Sequence, residues 1–444
     1  MDTIAAPITP LMESSVILIR VSGSLSLNVL DLINIKNKTS LEPKRVYYGV
    51  FESMDKKIKD DCLFYFFKAP NSYTGEDVVE ISFHGNPLII DVVLRDIYNL
   101  GIRQATGGEF TRRAFLNGKI DLTQAEAVFD MIASKSTFAI NSSYKRLKGV
   151  VKNKIDEVKD CLVDAMSVVN AFIDFSEDDI DESAFEITFE QMKNSCNIIK
   201  VLLENYRNYY LYEKSGLKVV VAGKPNVGKS SLFNCLINCD RSIVSDLPGT
   251  TRDYIDSQLY LNDYKINIID TAGIRNLCSG IEKAGANLSE KLIEESDLVI
   301  VLFDISTVFD NEDEYILSIT KDKSRIIVAN KCDLSSKFLH PCDIAISVKE
   351  NINIDKLKEA ISERLKTYDS DDTNDLIIVA ERHAHMLAKI LNVLEDILKF
   401  NSIDKLDIIS IELQRAMRYL SEITGEIYTE DILDNIFKKF CIGK

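Results

Sequence analysis

Gly223-Lys224-Pro225-Asn226-Val227-Gly228-Lys229-Ser230 spells G-x-x-x-x-G-K-S, and it falls between an apolar run, Lys218–Ala222, and a helical stretch. That is the context a phosphate-binding loop needs: glycines let successive amides turn inward at a helix N-terminus. The spacing predicts that the backbone from Asn226 to Ser231 (Val227 and Gly228 included) faces phosphate oxygens. Lys229 then supplies a positive charge to the β/γ-phosphates, and Ser230 a hydroxyl ligand for Mg²⁺. Two further elements follow in order. Asp270-Thr271-Ala272-Gly273 closes the run Lys265–Ile269, where a carboxylate reaches the Mg²⁺ shell and a glycine amide the γ-phosphate. Asn330-Lys331-Cys332-Asp333 follows Arg325–Ala329. An Asp there accepts from N1 and the exocyclic amine of guanine, which adenine does not offer, so the expected nucleotide is GTP. A fifth element, Ile346-Ser347-Val348-Lys349, offers a backbone amide to the base.

Ser242 to Asp253 lies between the loop and Asp270 and reads as a nucleotide-sensing switch. Within it Ser245, Asp246, Leu247, Pro248, Gly249, Thr250 and Thr251 are candidate GTP contacts, with Thr251 as a second Mg²⁺ ligand. Ras-type GTPases place a Gln after D-x-x-G to orient water. Here the residue is Ile274, so another group must do so, and Glu282 is the favoured carboxylate. Glu290 and Glu294 read as residues of a helix face.

Outward from this centre, short apolar strands (Lys218–Ala222, Leu298–Phe303, Arg325–Ala329) alternate with helical stretches, a doubly wound α/β pattern. The flanks differ. Val151, Ile155, Val158, Leu162, Ala165, Val169 and Phe172 recur at helical spacing. The stripe resumes through Met192, Ile199, Leu203 and Tyr206, and again through Leu391, Leu394, Leu398, Leu413, Met417 and Leu420. The first hundred residues read as strands, Val16–Val21, Cys62–Phe67 and Val78–Phe83 among them. The expected fold is therefore multidomain: an N-terminal α+β domain (1–119), a helical domain (120–215 plus 371–444), and an inserted α/β P-loop domain (216–370).

Length and composition set the outer bounds. The chain has 444 residues, 46% of them apolar, and 53 Lys+Arg against 69 Asp+Glu give a formal charge of −16. That length calls for two or three domains, and the apolar share excludes a disordered chain. No uncharged run approaches the roughly 18 residues of a membrane helix. The start lacks the pattern of a secretory signal, and nine Cys contain no C-x-x-C. The expectation is a soluble, cytoplasmic, reduced protein without a membrane partner. The acidity argues against a general nucleic-acid coat. By segment, residues 1–120 are neutral, whereas 121–215, 216–370 and 371–444 carry −6, −5 and −5. The densest acidic run, Asp174 to Glu186, reads as a solvated edge.

Several runs together resemble the MnmE (TrmE) tRNA-modification GTPases. They are Asp2–Ala6, Tyr73–Glu80, Gly108–Thr111, Arg113–Leu122, Gln124–Ala127, Gly249–Asp253, Asp270–Arg275 and the terminal Cys441-Ile442-Gly443-Lys444. The resemblance spans essentially the whole chain. It implies an N-terminal tetrahydrofolate-binding domain, a helical domain and an inserted Ras-like GTPase domain. It further implies a homodimer formed through the N-terminal domains, and an FAD-dependent partner, MnmG. The activity it implies is addition of a carboxymethylaminomethyl or aminomethyl group at C5 of a wobble uridine in certain tRNAs, with a tetrahydrofolate one-carbon donor. By position, Asn226, Ser245, Leu247 and Thr250 resemble the ligands of a K⁺ ion that stands in for an arginine finger. Glu282 resembles the water-orienting carboxylate. Arg20, Glu80, Lys119 and Lys444 resemble the folate contacts. The chain departs from the family at Asn86 and Gly107, both read as backbone-conformation positions. Cys441 is read either as a nucleophilic thiol or as part of a packed tail that delivers Lys444. A GTPase switch that modifies nothing, such as a ribosome-assembly factor, is the alternative; a membrane-remodelling GTPase would need a basic amphipathic helix that is not seen.

Overall fold

Period-two alternation decides the first sheet. Ile17, Ile19 and Val21 on β2 (Ser14–Ser22), with Val79, Ile81 and Phe83 on β6 (Val78–Gly85), point to one face, and all are buried. They pack on Ile90, Val93 and Ile97 of the helix Pro87–Asn99. The computed structural model describes residues 2–35, 41–134, 136–174, 182–210, 216–239, 256–261, 264–270, 290–337, 340–366, 377–400 and 405–444. With β1 (Ile4–Pro7), β3 (Ile33–Asn34), β4 (Val46–Glu52), β5 (Lys59–Phe67) and β7 (Arg103–Gln104), the sheet runs β3-β4-β5-β6-β2-β1-β7. Every pairing is antiparallel except β1 with β7. The register lines up Ala6, Arg20, Glu80 and Tyr65 across four strands on the face opposite the helix.

The three quoted strands of this region lie inside β2, β5 and β6. The helix Pro87–Asn99 supplies part of the helical content of the expected α+β domain within a stretch read as strands, and its start carries a signal. Asn86 adopts φ −108° and its side chain accepts from the Leu88 amide at 2.9 Å, with Pro87 at the first helical position. Asn86 is thus a helix cap rather than a positive-φ residue.

The described residues divide into two compact units, 1–133 with 143–200 and 379–444, and 134–142 with 201–378. In the first, the helix Val150–Asp174 buries all seven residues of the predicted stripe. It packs on Leu406–Thr424, which packs on Glu381–Phe400. In the latter helix the buried register is Leu387, Ile390, Leu394 and Ile397; Leu391 and Leu398 are only half-buried. Likewise Leu202, not Leu203, is fully buried. Arg382 holds this bundle together: its Nη1 and Nη2 donate to the carbonyls of Glu422 (2.7 Å) and Ile423 (2.9 Å), the unpaired end of Leu406–Thr424. Its Nε donates to Glu126 at 2.7 Å, and buried His383 sets Nε2 2.6 Å from the same carboxylate. Burial would raise the Glu126 pKa, yet His383 and Arg382 together hold it at about 2.

The second unit is built on a sheet ordered β13-β12-β11-β8-β10-β9, with β8 (Leu217–Ala222), β9 (Asp256–Leu261), β10 (Tyr264–Asp270), β11 (Leu298–Asp304), β12 (Arg325–Asn330) and β13 (Ile344–Ala345). All pairs are parallel except β9 with β10. β11 is buried along its whole length, as a central strand covered on both faces must be. The carboxyl ends of β8, β10, β11 and β12 therefore open on one edge of the sheet, where such folds bind ligands.

Candidate functional site

The phosphate loop leaves β8 and enters the helix Lys229–Cys239. Gly228 has φ 103°, and a Cβ there would meet Asn330 Nδ2 at 2.4 Å, so only glycine lets the loop approach β12 this closely. Asn330 uses that approach: its Nδ2 donates to the Val227 carbonyl at 2.8 Å, and its Oδ1 accepts from the Val348 amide at 3.2 Å. One buried side chain thus ties the phosphate loop to the Ile346–Lys349 loop. Lys229 is buried at the loop, its Nζ donating to the carbonyls of Gly223 (2.8 Å) and Lys224 (2.6 Å). Asn226, at φ 66°, and Ser230 are exposed.

Lys331 donates to the Asn226 carbonyl at 3.1 Å and pairs with Asp304 at 2.5 Å. Asp333 is exposed; the Ser347 hydroxyl is the main cause holding its pKa below the usual carboxylate range. The acid expected to read guanine is therefore ionised and held beside the loop that offers Val348. Asp270 ends β10 opposite Val221, so its backbone reaches the same edge. Ser245, Asp246, Leu247, Pro248, Gly249, Thr250, Thr251, Thr271, Ala272, Gly273, Ile274 and Glu282 lie outside the described residues, as do 175–181 of the acidic run. Glu290 accepts from the Tyr315 hydroxyl, in keeping with its reading as a helix-face residue.

A second constellation sits on the outer face of the first sheet. Arg20 Nε donates to Glu80 at 2.7 Å, and the guanidinium lies 4.9 Å from the centre of the Tyr73 ring and 5.5 Å from that of Phe110. Lys444 joins them from the far end of the chain. Burial depresses its pKa, and the nearby Arg20 charge depresses it further. The tail is docked through its backbone: Ile442 bridges to Gly107, and the Phe110 amide donates to the Lys444 carbonyl at 3.0 Å. Gly443 has φ 102°, and a Cβ there would meet the Pro7 carbonyl oxygen at 2.2 Å. Gly107 therefore serves as a contact point for the tail rather than as a bare φ requirement. Cys441 keeps its side chain exposed while its carbonyl accepts from Gly108. Lys119 bonds the Pro70 carbonyl at 2.9 Å, on the loop that carries Tyr73.

Sequence reasoning gave no role to Tyr73 or Phe110, nor to the network beneath them. Arg113, buried, bonds Asp2, Glu76 and Glu109, while Arg103 bonds Asp2 and Glu109. All but Arg103 lie in the runs Asp2–Ala6, Tyr73–Glu80, Gly108–Thr111 and Arg113–Leu122, so the signal was the clustering of those runs.

A family model described as GTP-binding protein TrmE N-terminus matches residues 3–119, and one described as MnmE helical domain matches 122–441. The chain belongs to the MnmE family. Relatives named tRNA modification GTPase MnmE match end to end. The protein from Natranaerobius thermophilus is 38% identical over 100% of this chain and 99% of that one. Those of Aquifex aeolicus and Finegoldia magna are 37% and 38% identical over 100% of both chains. As a member of the MnmE family the chain is a GTP-binding, GTP-hydrolysing enzyme. No helix among the described residues is long and apolar enough to cross a membrane.

Proposed function

We propose that this chain is the GTPase subunit of a tRNA-modifying complex that builds a carboxymethylaminomethyl or aminomethyl group on C5 of a wobble uridine. In this reading the partner is an FAD-dependent MnmG protein, the carbon donor is a tetrahydrofolate one-carbon derivative, and the chain is a cytoplasmic homodimer. Residues 1–119 form the folate-binding and dimerisation domain, 120–215 with 371–444 the helical domain, and 216–370 the G domain. The observation that carries the reading is the docked tail: it seats the Lys444 backbone on Phe110, whose ring underlies Arg20, in a chain that also holds a complete phosphate loop.

At the nucleotide site, Lys229 and the amides from Val227 to Ser231 bind phosphate oxygens, and Asp333 with Lys331 selects guanine. Ser230 and Thr251 are the Mg²⁺ ligands, with Asp270 near that shell; Ser230, an exposed residue at the helix start, suits that role. Mg²⁺ supplies charge that neutralises the phosphates. Asn226, with Ser245, Leu247 and Thr250, is assigned to K⁺; an exposed residue with an amide oxygen suits a hard cation. K⁺ supplies charge where it develops in the transition state. Glu282 orients the attacking water, a task Ile274 is unable to perform.

At the folate site, Arg20, Glu80, Lys119 and Lys444 contact the planar head of the donor or its tail, with half-buried Tyr73 beside Arg20 and the buried Phe110 ring packed beneath it. Lys119 fixes the Pro70–Gly75 loop. The neutral charge of residues 1–120 and the acidity elsewhere imply that the chain alone binds tRNA weakly, with MnmG supplying most phosphate contacts. Nucleoside analysis of tRNA from cells lacking this protein tests the proposal: the wobble modification should vanish and return with the wild-type gene. Unchanged wobble uridine would overturn it.

A further inference from the structure

The residue after the first glycine of the phosphate loop, Lys224, does not turn toward the phosphate side of the loop. Its Nζ lies 2.6 Å from Asp310 and 2.6 Å from Asp313, and its side chain is 15% exposed. Asp313 is buried. Both acids also build the start of the helix Asn311–Ile319: Asp310 is its cap and accepts from the Glu312 and Asp313 amides, while Asp313 accepts from the Asp310 amide. Two residues further along the loop, Asn226 is held by Lys331, which is itself held by Asp304. Asp304 is fixed in turn, its Oδ1 accepting from the Ser306 amide and hydroxyl. The loop is therefore gripped at two points, and both grips end on one connection, Asp304–Asp313, that leaves the carboxyl end of β11.

This arrangement has a physical purpose. The loop carries two residues in left-handed backbone, Asn226 and Gly228, and such conformations persist where the surroundings over-determine them. A surface ion pair does little of this, but an ammonium shared by a buried and a helix-capping carboxylate holds one geometry. We propose that Lys224, with Asp310 and Asp313, is a positioning device for the phosphate loop: it fixes the loop in its phosphate-binding shape before nucleotide arrives, with Lys331–Asp304 as the second anchor. The proposal rests on the reading of Gly223–Ser230 as the nucleotide site and adds residues that touch no part of the nucleotide.

Loss of the grip should appear as weaker binding of the phosphate chain, since the loop then loses entropy on binding. In the full-length protein, Lys224→Met should raise the Kd for a fluorescent GDP analogue about tenfold and raise the KM for GTP similarly. kcat at saturating GTP should stay within about twofold, as expected when binding is lost uniformly. The preference for GDP over ADP should not change, and Lys224→Arg should restore most of the affinity. Asp313→Asn should weaken binding, and combined with Lys224→Met it should add little further loss. Asp310→Asn, on the exposed partner, gives the same reading if the Asp313 variant does not fold. Unchanged GDP affinity in Lys224→Met, or full additivity of the double variant, would overturn the proposal. Failure of the wild-type protein to bind GDP would instead remove the nucleotide-site reading itself.

Discussion

In the phosphate loop, one continuous stretch from Gly223 to Ser230 supplies the whole cradle, and the fold adds braces from Asn330, Lys331 and the Asp304–Asp313 connection. Around Arg20 nothing is continuous. Arg20 comes from β2, Tyr73 from a loop, Glu80 from β6, Phe110 from a helix and Lys444 from the chain's end. The first site gathers backbone amides, whose spacing is fixed by covalent geometry. The second gathers side chains, whose spacing is fixed by strand register and a docked tail. Substitutions should therefore damage the first locally and the second from a distance.

The largest effect expected is at Lys229. Lys229→Ala removes a charge-assisted contact and should weaken GTP binding about 100-fold or more, on the order of 3 kcal/mol. Binding of a tetrahydrofolate derivative, measured by calorimetry, should be untouched; a parallel loss there would erase the contrast. Gly443→Val reverses the test. The new side chain collides with Pro7 in a backbone region that valine avoids, so the tail should undock. Tetrahydrofolate affinity should then fall about 30-fold, roughly 2 kcal/mol, while GDP affinity holds.

Acid should separate the units next. The Glu126 carboxyl, at about 2 against an ordinary 4.5, contributes stability that is fully present above pH 4.5 and lost as pH falls through 2. Chemical denaturation should show Glu126→Gln less stable at neutral pH and less acid-sensitive than the wild type, with the change confined to the transition of the unit formed by 1–133, 143–200 and 379–444. Equal pH slopes would deny Glu126 this role. The smallest effect belongs to Asn86→Ala, which removes the cap of Pro87–Asn99 and should cost about 1 kcal/mol. Both ligand affinities should survive it, because neither site includes that helix.

How much was legible follows the same divide. The strands β8, β10, β11 and β12 and the order of the nucleotide motifs were readable, because apolar runs and contiguous spacings are local properties. The helix Pro87–Asn99 was passed over in a region dominated by strand signals, although Asn86-Pro87 marked its start. In Glu381–Phe400 the predicted Leu394 is buried, but Leu391 and Leu398 stand one position from the buried Ile390 and Ile397, since in a helix rich in Leu, Ile and Val only the neighbours decide which side is inside. Arg20, Glu80, Lys119 and Lys444 were named through family resemblance, whereas Tyr73 and Phe110, which frame Arg20, became visible only in three dimensions.

By itself the sequence determined the nucleotide chemistry. A glycine-framed loop, a Lys, a Ser and an Asn-Lys-x-Asp carry their function in residue type and spacing, which folding does not alter. The tertiary structure alone decided where distant charges meet. Pairing of β1, β2, β6 and β5 set Arg20 against Glu80, and the left-handed turn at Gly443 laid Lys444 beside them. It also turned Lys224 away from the phosphates and onto Asp310 and Asp313. Such contacts depend on register and burial, which no local pattern encodes.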